Sequence, residues 1–403
     1  MEGYKGFDKE LKYKGVQYEF EKEFAINKTL DDLKSYEDNE LHFSKYPLDM
    51  FGYCAPVTSK FAKVEADDVI DKNPGNWPEQ ETKVFTNKLK ICKEIRISNM
   101  VHAAVEYIKD NIDSSKEQKA DKANNWSVIA SVDNYSSSIN TGHRSTSTNI
   151  GDCSAAINTG DRSVAASVGY RSLAENAGIN SIASITGNYS VAKNIGSISI
   201  AANTGECSAS SNTGFRSAAI NTGMASLSID TGNSSAATNV GYNSNATARG
   251  DDSAATNTGD ESIAISTGDN SAATNTGYKS AAISTSYKSI STNTGDDSVS
   301  KNTGENGVAV NTGDWSASIV TGENSIAVST GCQGFAKGAL GSWIVISEWM
   351  CGSEVGKDGC ILKDVKSFKV DGKEILPDTF YRLKDGKPVV VVDDFSEDLN
   401  KFF

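Results

Sequence analysis

Polar and apolar residues alternate with a period of nine over about half of the chain. The unit reads Gly-x-x-Ser-φ-Ala-x-Asn-Thr, where φ is apolar, as in GDNSAATNT from Gly268. Between Gly142 and Gly331 there are 22 unit starts, and only Ser286 replaces the glycine. Self-similarity at a short fixed period is typical of stacked units. The pattern therefore predicts a mainly β protein with a parallel β-solenoid over residues 126–340.

The alternation within each unit predicts which side chains face the interior. With glycine as position 1, positions 2 and 3 are polar, which predicts an exposed turn where glycine supplies backbone freedom. Position 7 includes the charged Glu175 and Lys193, so positions 4 and 6 face inward, because side chains alternate along a strand. A thin interior of Ser and Ala favours a flattened coil of about 18 residues over a triangular coil of about 27. We expect the buried serines to bond to backbone carbonyls or to the serine of the next coil.

By the same parity, position 5 faces outward although it is often apolar. Stacked coils would join these side chains into one stripe, and long exposed apolar patches usually mark interfaces. We predict that the stripe mediates self-association into a dimer or trimer; the alternative is that position 5 belongs to the core. The stripe residues are Val164, Leu173, Ile182, Val191, Ile200, Leu227, Ile263, Ile290, Val299, Val308 and Ile326.

The segments that flank the repeats predict two smaller domains. Residues 1–112 form an α+β domain, with strands in VQYEFEKEF, KFAKVEA and KVFTNKLKICKEI. Ser98 caps a predicted helix to about Asn111, whose apolar face packs on the small sheet. Residues 113–125 are polar and indicate a linker. Residues 341–403 contain the strand SWIVISEW and two Asp-Gly hairpin turns, which predict a β domain that caps the solenoid.

Charge and cysteine content narrow the classes of partner and compartment. The formal charge of −13 argues against direct binding to nucleic acid or to an anionic membrane. The first residues lack the apolar segment of a signal peptide. A membrane span needs about 20 consecutive apolar residues, and no apolar segment of the sequence approaches that length. The seven cysteines are scattered, so free thiols in a reducing compartment are expected, although Cys351 and Cys360 could face each other across a hairpin.

The sequence shows no signature of a catalytic, cofactor or metal site. The histidines His42, His102 and His143 form no triad or metal-ligand pattern, and the chain has no Walker loop or His-Glu-x-x-His. Aspartate at position 2 is irregular, unlike the fixed aspartate of calcium-binding nonapeptides. We therefore predict a protein without catalytic residues, cofactor or metal.

Two resemblances accompany the repeats. NSIAVSTG is similar to the Ser-Val-Ala-Ile-Gly repeats of trimeric autotransporter adhesin heads, which form β-rolls with a longer period. YKGFDKELKYKGVQYE, HFSKYPLDMFGYCAP and GALGSWIVISEW, around Asn-Thr-Gly repeats, resemble a phage and prophage protein family with an N-terminal domain of unknown function and nonapeptide repeats. That family often has Gly-Phe-His-x-Cys where this chain has Leu41-His42-Phe43-Ser44. The resemblance implies a phage or prophage origin, a location in the cytoplasm of a bacterial host or in the virion, and no particular activity.

The N-terminal domain also loosely resembles the core of ADP-ribosyltransferases. That resemblance implies an NAD-dependent site that contains His42 and, as its late carboxylate, Glu94. The segments that carry it are Tyr4-Lys5-Gly6, His42-Phe43-Ser44, an aromatic segment ending at Tyr53, and the strand from Lys60 to Glu65.

Together these features favour a non-enzymatic phage or prophage β-solenoid that acts as a structural or protein-binding module, with a host protein as a candidate target. One alternative is an intracellular inhibitor of a host defence or DNA-processing enzyme, in which an acidic solenoid imitates DNA. Residues 142–331 carry 15 acidic and 9 basic side chains, so their net charge of −6 is small for such a mimic. The other alternative is the ADP-ribosyltransferase.

Overall fold

The fold is mainly β. An N-terminal α+β domain is followed along the chain by a β-solenoid of about 12 turns at roughly 18 residues per turn. This confirms the predicted fold class and the flattened coil. The computed structural model divides into two compact units, residues 1–211 with 221–227, and residues 212–220 with 228–403. The structure describes residues 1–26, 41–56, 59–71, 82–119, 126–351 and 360–391.

The N-terminal domain is built on a seven-stranded antiparallel sheet. In spatial order its strands are Glu23–Ala25, Lys88–Glu94, Lys60–Glu65, Glu2–Phe7, His42–Ser44, Lys83–Thr86 and Val69–Asp71. The short strands Lys12–Tyr13 and Val16–Gln17 pair beside it, and 3-10 helices span Pro47–Gly52 and Ser114–Lys116. The predicted strand over residues 16–24 is interrupted because Glu21 has a φ of 60°, which no extended strand allows.

A single helix, Ile97–Asp110, follows the sheet in the described residues and confirms the predicted helix. Arg96 precedes it without a side-chain cap, so the predicted capping role of Ser98 is wrong. The apolar face is buried chiefly against Pro47–Gly52 and against the solenoid strand Val191–Asn194, rather than on the small sheet. The helix therefore joins the N-terminal domain to the solenoid.

The solenoid consists of two parallel sheets, and successive strands alternate between them. Within the repeats a strand pairs in register with the strand 18 residues later, as Ser137 does with Ala155. The offset changes at the two ends, where Glu117 pairs with Ser137 and Ile326 pairs with Trp343. Sheet I contains Glu117–Lys119, Ser137–Asn140, Ala155–Asn158, Leu173–Asn176, Val191–Asn194, Ala209–Asn212, Leu227–Asp230, Asn245–Ala248, Ile263–Ser266, Ala281–Ser284, Val299–Asn302, Ala317–Val320, Phe335–Lys337, Tyr381–Lys384 and Lys387–Val390. Sheet II contains Val128–Ser131, Thr146–Ile150, Val164–Val168, Ile182–Thr186, Ile200–Asn203, Ala218–Asn221, Ala236–Asn239, Ala254–Asn257, Ala272–Asn275, Ile290–Asn293, Val308–Asn311, Ile326–Ser329, Trp343–Cys351 and Cys360–Lys369.

Ladders of serine and asparagine fill the interior between the sheets. The Ser163 hydroxyl donates to Gly142 O at 3.2 Å and accepts from Ser145 N at 3.0 Å. Asn158 Nδ2 donates to Ser145 O at 3.1 Å, while its Oδ1 accepts from Gly160 N at 2.9 Å. These bonds satisfy the buried polar atoms that they join, as burial requires. They confirm that backbone carbonyls accept from the serine hydroxyls.

The repeat glycine has a different role from the predicted one. Positive φ occurs at position 3 of each unit, as at Arg171 with 50° and Ile198 with 56°, and not at the glycine. A Cβ on Gly268 would lie 2.0 Å from the carbonyl oxygen of Gly250 in the preceding coil. Glycine is therefore needed because the backbones of successive coils approach too closely for a side chain.

Two antiparallel hairpins follow the last repeat and extend the two sheets. The Asp-Gly pair at Asp385 forms the predicted hairpin turn, with φ of 50° and 68° at its two residues. The earlier pair does not, because Asp371 Oδ1 instead accepts from the amides of the next loop, at 2.8 Å from Lys373 and 2.9 Å from Glu374. Cys351 and Cys360 form a disulfide across the other hairpin, so the expectation of free thiols is wrong for this pair.

The β-solenoid covers residues 117–346. Its first strand, Glu117–Lys119, lies in the segment that we predicted to be a linker, and pairs with residues 137–139. Residues 120–125 of that segment, and residues 392–403 of the predicted C-terminal domain, lie outside the described residues.

Candidate interaction surfaces

The apolar residues predicted to form one stripe are divided between the two sheets. One nonapeptide fills one side of a coil, so position 5 falls on alternate sheets. The sheet I members are at most 5% exposed: Leu173, Val191, Leu227, Ile263 and Val299. The sheet II members are more accessible: Ile182, Ile200, Ile290 and Ile326 are 38–46% exposed, and Val164 and Val308 are half-buried. Only the sheet II row reaches solvent in the single chain.

In the second unit this row becomes part of a broader apolar face. Four outward side chains lie opposite one another on neighbouring strands of sheet II: Ile290, Val308, Ile326 and Trp343. Beside them lie the half-buried Val310 and Val328 at position 7, and Val345, which pairs with Val328. Neighbouring strands are about 4.8 Å apart, so each row is continuous across the strands, and the two rows lie side by side because their members are two residues apart on each strand. We call these seven residues the sheet II face.

In the first unit, sheet I is an intramolecular interface with the N-terminal domain. Arg171 Nη2 donates to both carboxylate oxygens of Asp49, at 2.8 and 2.9 Å, and both side chains are at most 4% exposed. Thr82 N and Oγ1 also donate to Asp49 Oδ2, at 2.8 and 2.7 Å. Tyr46 OH donates to Tyr189 O at 2.6 Å, and burial, followed by the charge of Asp49, raises the pKa of Tyr46, which keeps this donor protonated. No sequence periodicity signals these contacts.

A second group of charges reinforces the same interface. Lys109 Nζ of the helix lies 2.6 Å from Glu175 Oε2, and Lys193 Nζ lies 3.0 Å from Glu175 Oε1. Burial raises the pKa of Glu175, but hydrogen bonds and charge from the two lysines outweigh it and hold the pKa below its usual value. Position 7 is charged here because these residues meet the N-terminal helix.

The core of the N-terminal domain holds a buried lysine among aromatic rings. Lys5 Nζ donates to His42 O at 2.9 Å and lies 4.3 Å from the ring centroid of Tyr13. Burial lowers the pKa of Lys5 to about 7. Tyr13 OH lies 3.3 Å from Nε2 of the buried His42. Such a perturbed amine occurs in functional sites and also in structural cores.

The residues named for ADP-ribosyl transfer do not come together. His42 and Glu94 lie on strands that two other strands separate, Glu2–Phe7 and Lys60–Glu65. At the usual strand spacing this places them about 14 Å apart. Ser44 is fully buried, whereas Glu94 is exposed.

The acidic turn residues of the second unit take part in bonds between coils. Asp251 Oδ1 accepts from Asp269 N at 3.0 Å, and Asp260 Oδ1 accepts from Tyr278 N at 2.8 Å. The acceptor and the donor belong to successive coils, which stack about 4.8 Å apart. These carboxylates stabilise the solenoid itself, which weakens the argument for a DNA mimic.

The second unit also contains a polar cleft of about 360 Å³, lined by Gln333, Glu348, Trp349, Arg382 and Asp385 among others. Lys363 Nζ lies 2.6 Å from Glu348 Oε1, and Gly386 N donates to Glu348 Oε2 at 2.8 Å. The hydrogen bond from Lys363, followed by that from Gly386, lowers the pKa of Glu348. The cleft wall is therefore held by an internal ion pair.

The described part of the chain contains no helix with the length and apolar character of a membrane span.

Comparison with known proteins identifies the N-terminal domain alone. Residues 1–103 match the family described as "Domain of unknown function (DUF7666)". No curated protein and no solved structure matches the chain. The matched residues contain the sheet and the first half of the helix that docks on the solenoid.

Proposed function

We propose that this chain is a non-enzymatic structural and protein-binding module that joins copies of itself through the sheet II face. The observation that carries the proposal is the register of Ile290, Val308, Ile326 and Trp343. Three of these side chains are 39–46% exposed, and together they form a continuous apolar surface. Extended apolar patches on soluble proteins mark interaction sites.

A second copy of the chain is the partner that this surface fits best. Its rows of apolar side chains repeat with the strand spacing of about 4.8 Å, so an identical face offers rows at the same spacing. Burial of apolar area contributes about 25 cal/mol per Å² to association. Sheet I offers no equivalent surface, because its position-5 residues are buried within the chain.

Replacing Ile290, Val308 and Ile326 together with lysine tests the proposal. We expect the unmodified chain to be a dimer or trimer at micromolar concentration, and the triple variant to be a monomer with an unchanged far-ultraviolet circular dichroism spectrum. Analytical ultracentrifugation measures both states.

A matched variant controls for the added charge. Thr267, Thr285 and Thr321 are exposed and follow strands of sheet I, so their replacement with lysine adds the same charge away from the sheet II face. This control should keep the oligomeric state. A monomeric unmodified chain, or equal dissociation of both triple variants, would contradict the proposal.

We also propose a phage or prophage origin and a location in the bacterial cytoplasm or the virion. The support is the resemblance of the flanking segments and the repeats to the phage and prophage family. Presence of the chain in purified particles would support a structural role in the virion. Specific recovery of a host defence or DNA-processing enzyme on the immobilised chain would instead favour the inhibitor hypothesis.

A further inference from the structure

Three cysteines that are far apart in sequence meet at the end of the repeats in the second unit. The Sγ atoms of Cys332, Cys351 and Cys360 all lie within 4.8 Å of one another. Cys332 Sγ is 3.1 Å from Cys351 Sγ and 3.7 Å from Cys360 Sγ. Cys332 is 7% exposed, whereas the other two are exposed. The cluster is therefore supported from one side and open to solvent on the other.

The backbone around the cluster is held on both sides. Cys332 N donates to Asp314 Oδ1 at 2.7 Å, and Cys332 O accepts from Trp315 N at 2.8 Å. Cys351 and Cys360 face each other across the hairpin that extends sheet II. Trp349 Nε1 in that hairpin donates to Thr330 O at 3.0 Å, two residues before Cys332. The three sulfurs are thus brought together by the fold and do not depend on the disulfide alone.

Three sulfurs in this arrangement match the requirements of a thiophilic metal. Tetrahedral zinc binds thiolates at about 2.3 Å, which places two ligand sulfurs about 3.8 Å apart. The separation of 3.7 Å between Cys332 and Cys360 meets this requirement. The separation of 3.1 Å between Cys332 and Cys351 is shorter, so Cys351 must move outward once the disulfide is reduced. Thiolates select soft or borderline cations such as Zn²⁺, whereas Ca²⁺ and Mg²⁺ prefer oxygen.

We propose that the reduced chain binds one Zn²⁺ ion through Cys332, Cys351 and Cys360, and that the disulfide form does not. A thiol reductant supplies two electrons and two protons to the disulfide of Cys351 with Cys360, and is itself oxidised to a disulfide. Binding of the ion then displaces three thiol protons to solvent. No fourth His, Cys, Asp or Glu joins the cluster among the described residues, so water occupies the fourth position.

The proposed ion would join the turn that follows Gly331 to both strands of the hairpin. The disulfide joins only the two strands to each other. Reduction thus exchanges a link within the hairpin for a link between the hairpin and the last repeat. The sequence alone gives no sign of this, because the spacings of 19 and 9 residues match no zinc motif.

Metal titration of the full chain tests the proposal. The chain is reduced, stripped of metal, titrated with Zn²⁺ or with Co²⁺ as a spectroscopic probe, and passed through gel filtration before elemental analysis. We expect one ion per reduced chain, a thiolate-to-Co²⁺ charge-transfer band, and neither result for the oxidised chain. A reduced chain that retains no metal would overturn the proposal.

Single substitutions then identify the ligands. Cys332→Ser should weaken Zn²⁺ binding by at least about tenfold. Removal of a group that only supports a metal ligand already lowers metal affinity by about tenfold, and Cys332 is itself a proposed ligand. Cys360→Ser, at an exposed position, should do the same if Cys332→Ser impairs folding. Cys207→Ser, in the other unit, should bind as the unmodified chain does. Unchanged binding by both cluster variants, or equal loss in the Cys207 control, would show that the metal binds elsewhere.

Discussion

Arg171 Nη2 bonds to both carboxylate oxygens of Asp49 although 122 residues separate them in sequence. Asp49 is fully buried, and the Arg171 side chain is 4% exposed. The N-terminal domain and the first coils of the solenoid therefore share one buried ion pair. Removal of one partner leaves the other charged group buried without compensation.

Asp49→Ala should destabilise the first unit by about 3–5 kcal/mol, the usual cost of breaking a buried pair. Denaturant unfolding measures the loss. Lys88→Ala is the control, because the Lys88 and Glu23 side chains of that ion pair are each 53% exposed and exposed pairs contribute about 1 kcal/mol or less. Equal losses in the two variants would show that the pair of Asp49 with Arg171 is no more important than a surface contact.

Asp230→Asn should stabilise the second unit above neutral pH. Asp230 occupies position 8, where most repeats have asparagine. Its Oδ1 accepts from Gly232 N at 2.8 Å. Its buried Oδ2 has no hydrogen-bond partner in the described part of the chain. Asparagine would supply the Nδ2 donor that Asn158 uses. Burial raises the pKa of Asp230 from 3.8 to about 8.

The sign of the pH dependence follows from this raised pKa. The folded state holds a proton that the unfolded state releases above pH 3.8, so the stability of the unmodified chain falls as the pH rises towards about 8. The advantage of the Asp230→Asn variant in free energy of unfolding should therefore grow between these two values. A constant difference across this range would mean that Asp230 is charged in the folded chain at neutral pH.

Lys5→Met should remove a pH dependence of the opposite sign. Burial lowers the pKa of Lys5 from 10.5 to about 7, so between these values the unfolded chain binds a proton that the folded chain does not. The free energy of unfolding of the unmodified chain should rise with pH in this window, by at most about 1.4 kcal/mol per pH unit. Lys93→Met, at an exposed position on the same sheet, should keep the slope. Retention of the slope in Lys5→Met would show that other groups cause it.

Ile198→Asn should stabilise the first unit by about 1 kcal/mol. Ile198 has a φ of 56°, a conformation that a β-branched residue adopts at a cost and asparagine adopts readily. Ile195→Asn is the control, since Ile195 is similarly exposed, at 47% against 53%, and does not have a positive φ. Thermal unfolding compares the two variants, and an equal shift in both would attribute the gain to surface polarity.

The period of nine by itself determined the coil, because each unit contacts copies of itself at a fixed separation along the chain. The registers of 18 residues, the inward Ser and Ala, and the hydroxyl bonds to backbone carbonyls all follow from that local repetition. The glycine at position 1 was equally evident in the sequence, but the physical reason that the position requires glycine was not. The close approach of Gly268 to Gly250 depends on the distance between coils, which no single unit contains.

Only the tertiary structure decided which repeated positions are available to a partner. Val191 and Ile200 occupy the same position of the repeat, yet Val191 is buried and Ile200 is 38% exposed. They lie on different sheets, and the apolar position-5 residues of sheet I are buried in both units. The bonds from Arg171 to Asp49 and the meeting of Cys332 with Cys360 likewise join segments with no periodic relationship. Such contacts arise from the packing of one domain or hairpin against the solenoid, and the sequence pattern of either segment alone does not contain them.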